Sequence, residues 1–141
     1  MTTLTIDKID FSNIERRLRK QWSTARVTQA VEEYRKFLMM VRCKIRVSPC
    51  PDVDVVWHEH ILHTRQYASD CEEALGEFLH HTPSTGNEEE AELRSETYQA
   101  TLASYRILFC REPPIIWSQC PPSIVARKKR AVSEPNDGCD C

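Results

Sequence analysis

Apolar residues recur at helical spacing in four stretches of the chain. The first, about Ser12 to Thr24, sets Ile14, Leu18 and Trp22 on one face, and Ser12 and Glu15 have the separation of a capping box. The second, about Ala25 to Arg42, carries Val27, Val31, Tyr34, Leu38 and Val41 at alternating steps of four and three. The run Ser48-Pro-Cys-Pro-Asp52 then breaks the pattern, with Asp52 placed to cap a third helix that should continue to about Leu75 and end near Gly76. After the loop-like stretch His80 to Gly86, a fourth helix, Asn87 to about Cys110, opens on Glu88, Glu89 and Glu90, where acid suits the helix dipole. Its expected core stripe is Leu93, Thr97, Thr101, Tyr105 and Leu108. Pro113-Pro114 ends it, and Ile115, Ile116 and Trp117 should pack back, since so apolar a cluster is costly to leave in water. The expected fold is all-α, a small bundle of about four main helices over residues 1–120, followed by an irregular, flexible tail over 121–141.

Composition narrows the function. A chain of 141 residues is the size of one domain, and three glycines supply an all-β fold poorly. Basic and acidic side chains nearly balance, at a formal charge of −2, so no global field draws the chain to nucleic acid or an anionic membrane. No apolar run approaches the roughly 20 residues that span a bilayer. The polar N-terminus has neither the apolar core of a secretory signal nor the character of a transit peptide. Seven cysteines, an odd number without a CxxC pair, read as reduced thiols in a cytoplasmic protein. The basic run Arg127 to Arg130 reads as a solvated linker in the tail. No Ser-His-Asp triad, phosphate-cradling glycine loop or dinucleotide fingerprint is found.

The chemistry concentrates in one place. All five histidines lie between His58 and His81. The segment Asp54-x-x-Trp57-His58-x-His60-Ile61-Leu62-x-Thr64-x-x-Tyr67-x-x-Asp70-Cys71 is followed by Phe78-Leu79-His80-His81-x-Pro83. In these two blocks the sequence resembles the glycine-rich domain-containing protein-like family of plants, bacteria and other eukaryotes. A looser similarity extends over about Val27 to Trp117. The family's glycine-rich region is missing here, and His63 stands where relatives often carry an acidic residue. The resemblance implies where a site lies and implies no particular activity.

Helical geometry divides the candidates. His58-Glu-His-Ile-Leu-His63 lacks the His-x-x-x-His spacing of a zincin, and on a straight helix His58 and His60 diverge by about 200°. Asp54 and His58, four apart, share a face with Arg65; their pairing suits a metal ion or an internal hydrogen bond. Trp57, His60, Thr64, Tyr67 and Cys71 have the spacing of a core stripe, which would make His60 a hydrogen-bonded core residue, although His60 and His63 lie about 60° apart and could share a ligand. His80 and His81 can fold back from the loop as ligands or serve as a structural clamp. Cys71, about 20 Å along a continuous helix from His58, joins them only if the helix ends early. Cys139 and Cys141 form a separate thiol pair able to take a soft metal.

The leading reading is a metal-binding helical domain without established catalytic activity. It holds zinc or iron through Asp54, His58 and His80 or His81, with His60, His63, Cys71, Cys139 and Cys141 as further candidates. A second reading makes the cluster structural, in a non-enzymatic interaction module with a protein partner. A third makes the chain a carrier of the Cys-x-Cys tail for modification or metal transfer. The sequence indicates neither substrate nor oligomeric state.

Overall fold

The computed structural model describes residues 5–119. Five α-helices carry the fold: α1 (Ser12–Leu18), α2 (Thr24–Arg42), α3 (Pro51–Leu62), α4 (Thr64–Asp70) and α5 (Glu88–Phe109). Short 3₁₀ turns at Ile6–Lys8 and Ile115–Ser118 flank them, and a π turn, Cys71–Leu75, prolongs α4. No strand occurs among the described residues, as the all-α expectation requires. No helix among them is long and apolar enough to cross a membrane. The expected tail, including Cys139 and Cys141, lies outside the described residues.

The hub is α2, which packs on α1, α3, α5 and the π turn. It can do so because it carries two apolar rows. Val27, Val31, Tyr34 and Leu38 are buried as the periodicity predicts; a second row, Ala30, Glu33, Phe37 and Met40, is buried too. Tyr34 meets Phe11 and His60, and Phe37 packs on Trp57 of α3. Glu33 faces α5 and the C-terminal turn, where its carboxylate accepts from Tyr105 Oη at 2.8 Å and Trp117 Nε1 at 2.9 Å. Trp117 therefore folds back as expected, while Ile115 stays exposed.

Several boundaries differ from the sequence expectation. Helix α1 stops at Leu18, short of Thr24, and its N-cap position falls on Phe11, not Ser12; one residue earlier, the Asp10 carboxylate accepts from the Ser12 N–H at 2.9 Å. Ser23 caps α2 through the Arg26 N–H. Asp52 is not the cap of α3: Cys50 holds that position and Pro51 begins the helix. Asp52 instead takes both arms of Arg26, at 3.0 and 3.1 Å. On α5 the buried face is Tyr98, Thr101 and Tyr105, while Leu93 and Leu108 are exposed. The rotation follows from Tyr98, whose hydroxyl donates to the Trp117 carbonyl.

The consequential difference is that the expected third helix is two. The backbone leaves the helical region at His63 (φ −84°, ψ 67°). There the His63 ring lies 2.8 Å from the Glu59 carbonyl and donates to it, satisfying an acceptor at the end of α3. The chain resumes as α4, so Thr64 is exposed while Tyr67, Cys71 and Ala74 remain buried. The π turn ends at Gly76, whose φ of 81° is the left-handed conformation a helix stop requires.

Candidate metal site

Asp54 and His58 sit one turn apart on the outer side of α3, where Pro51 fixes the start of the helix and the break at His63 ends it. The loop after Gly76 returns to this face. A chain of hydrogen bonds holds it there: Trp57 Nε1 donates to Tyr67 Oη at 2.9 Å, and the Tyr67 hydroxyl donates to the Leu79 carbonyl. The second partner fixes Leu79, two residues before His81. The His81 ring then packs on the Trp57 indole with centroids 4.2 Å apart and on His58 at 4.5 Å.

Three donors converge as a result. Asp54 Oδ1 lies 2.9 Å from His81 Nε2, and Asp54 Oδ2 lies 3.7 Å from His58 Nδ1. One ligand atom from each of Asp54, His58 and His81 falls within 4.8 Å of the others, so the group could hold a metal ion. Donors on a tetrahedral ion at zinc–nitrogen distances stand about 3.4 Å apart, between the two Asp54 separations, which run to different carboxylate oxygens. Asp54 and His81 are half-buried and His58 is exposed.

The other candidates separate from this group. His80 is exposed and lines the same cleft, but its ring turns to the edge of Phe78, with centroids 4.8 Å apart. His63 is occupied by the Glu59 carbonyl. His60 is buried, with Nδ1 2.8 Å from Tyr34 Oη and Nε2 2.9 Å from Asp70 Oδ2. These partners fix its tautomer: Nε2–H donates to the carboxylate and Nδ1 accepts from the phenol. Both nitrogens are used, so His60 and His63 share no ligand. Cys71 is buried, and burial pushes its thiol pKa up, which disfavours the thiolate a metal needs. Arg65, on α4, does not line the cleft.

Burial also holds the His60 imidazole below its usual pKa, with the Asp70 hydrogen bond and charge opposing this only in part. An unfolded histidine takes up its proton near about pH 6.5. The folded protein resists protonation until lower pH, so stability is full above that value and falls as pH drops towards the folded pKa. The slope contributed is at most about 1.4 kcal/mol per pH unit. Urea midpoints of wild type and His60→Gln, measured between neutrality and mild acid, should therefore converge as pH falls; parallel profiles would refute this assignment.

The sequence reading missed Glu33 and the role of the Trp57–Tyr67–Leu79 chain. A signal for Glu33 existed, since it interrupts the otherwise apolar row Ala30, Phe37 and Met40. The sequence profile of the UCP032817-like family matches residues 4–112, most of the chain. The chain belongs to that family. UCP032817-like membership agrees with the resemblance read from the two histidine blocks. The chain is also 26% identical to Glycine-rich domain-containing protein 2 of Arabidopsis thaliana over 89 residues, 59% of this chain. It spans only 11% of that relative's length. No solved structure gives a significant match.

Proposed function

We propose that this UCP032817-like domain binds one divalent transition ion, zinc or iron(II), through Asp54, His58 and His81. The observation that carries the reading is the convergence of one carboxylate and two imidazoles, with one donor atom of each within 4.8 Å of the others. Two histidines and one carboxylate form the donor set of open non-haem iron sites and of catalytic zinc sites, where remaining positions accept water or a ligand. The protein's own part is to aim the donors: α3 fixes two of them, and the Trp57 indole seats the third. Binding requires a lone pair on each imidazole, so a tautomer shift at His81 must release the proton now directed at Asp54. In this reading residues 1–120 form the binding unit, 121–141 a separate tail, and the protein is cytoplasmic with no assigned reaction.

The test is zinc titration of tag-free protein by calorimetry. One equivalent should bind to wild type, and His58→Ala should weaken binding by about 100-fold or more while the exposed position leaves the fold intact. Equal, substoichiometric zinc in both proteins would remove the idea.

One observation favours a second reading. The Asp54–His81 hydrogen bond and the packing of His81 on Trp57 already fasten the loop to α3. On that view the cluster is a clamp in a non-enzymatic interaction module, and wild type would bind no zinc while His81→Ala lowers the melting temperature.

A further inference from the structure

The Asp54–His58–His81 group opens into a cleft of about 860 Å³, far more room than an ion needs. Small-molecule sites occupy roughly 300–1,000 Å³. Its walls come from the linker between α2 and α3, from α3 itself, from the loop carrying His81, and from α5. Leu93, an exposed apolar residue that left the expected core stripe, lines this cleft together with Val47, Trp57 and Pro83.

The charges on those walls do not cancel once an ion is counted. Arg94 pairs with Glu90 at 3.2 Å, and Glu90 also accepts from the Thr85 N–H, which ties the loop to α5. Arg46 is exposed and has no ion-pair partner among the described residues. A dication held by one carboxylate and two neutral imidazoles keeps one positive charge, and Arg46 adds a second. Apolar walls focus such a field on the space between them.

We propose, building on the metal reading above, that the cleft binds an organic carboxylate with an apolar body. The carboxylate occupies an open position on the ion, within the field of Arg46, and the body lies along Val47, Pro83 and Leu93. Oxygen donors suit zinc and iron(II). An inorganic anion would answer the charge but leave the apolar walls in water.

Calorimetric titration of the zinc-loaded full chain with phenylbutyrate, acetate and inorganic phosphate tests this. Phenylbutyrate should bind at least about tenfold more tightly than either small anion, and removing the zinc should abolish the preference. Arg46→Gln and Leu93→Ser should each weaken phenylbutyrate by about tenfold with zinc affinity unchanged, because neither side chain is an ion ligand. Phosphate or acetate binding as tightly as phenylbutyrate, or full affinity in Arg46→Gln, would overturn the proposal. The two readings fail separately: a flat zinc isotherm sinks both, whereas normal zinc binding without phenylbutyrate binding sinks only this one.

Discussion

Replacing His60 by alanine is expected to lower the unfolding free energy by about 3–5 kcal/mol and to leave zinc affinity unchanged. The first part follows from what the ring does. It fills core space edge-on to Phe11, Tyr34 and Tyr67, and it satisfies a phenol and a carboxylate at once. Tyr34 is fully buried, so its hydroxyl would lose its partner with no water at hand. Asp70 retains Gln66 at 3.1 Å and is partly solvated, so it suffers less. The second part follows from position, since His60 points into the core and His58, two residues away, points out. The pair should therefore dissociate cleanly: His58→Ala acts on metal and hardly on stability, His60→Ala the reverse. Urea denaturation followed by circular dichroism, alongside zinc calorimetry, reads both. A fall in zinc affinity in His60→Ala comparable to that in His58→Ala would break the distinction between core and surface histidines.

That distinction was legible from spacing alone, because a turn of about 100° per residue cannot aim adjacent even-numbered positions at one point. The pairing of Asp54 with His58 was legible for the same reason. What spacing could not supply was the partner from the loop. His80 and His81 are neighbours in an irregular segment, where no period fixes direction. The choice falls to long-range contacts: the Tyr67 hydroxyl on the Leu79 carbonyl and the Trp57 face under the His81 ring. The break at His63 was hidden because its cause is a side chain competing for a backbone carbonyl, which leaves the hydrophobic pattern on either side almost intact. On α5 the period placed Thr101 and Tyr105 in the core correctly but chose Leu93 and Leu108 over Tyr98, whose phenol is drawn to a buried carbonyl. Apolar period predicted where helices form; polar satisfaction decided how they turn and where they stop.

Glu33→Ala should show the strength of that second rule, with an expected loss of about 3–5 kcal/mol in unfolding free energy. The side chain is almost wholly buried and collects three donors: Lys36 Nζ at 3.0 Å on one oxygen, Tyr105 Oη and Trp117 Nε1 on the other. Removing the carboxylate leaves the indole N–H unpaired in the core and strips a half-buried ammonium of its counter-charge. Lys36 keeps the Tyr105 oxygen as an acceptor, which limits the damage without replacing the charge. Glu33→Gln separates the two components. With its carbonyl towards Tyr105 and Trp117 it preserves both neutral bonds, while its amide hydrogens face Lys36, so about half of the loss should remain. Because Trp117 carries the 3₁₀ turn Ile115–Ser118 against α2 and α5, Glu33→Ala should also expose the indole, shifting its fluorescence to longer wavelength before global unfolding. Urea titration followed by circular dichroism reads the first effect, and the emission shift relative to the parent in a Trp22→Phe background, where Trp57 and Trp117 remain, reads the second. A loss under about 1 kcal/mol in Glu33→Ala would mean that the carboxylate does not anchor the C-terminal turn to the hub helix.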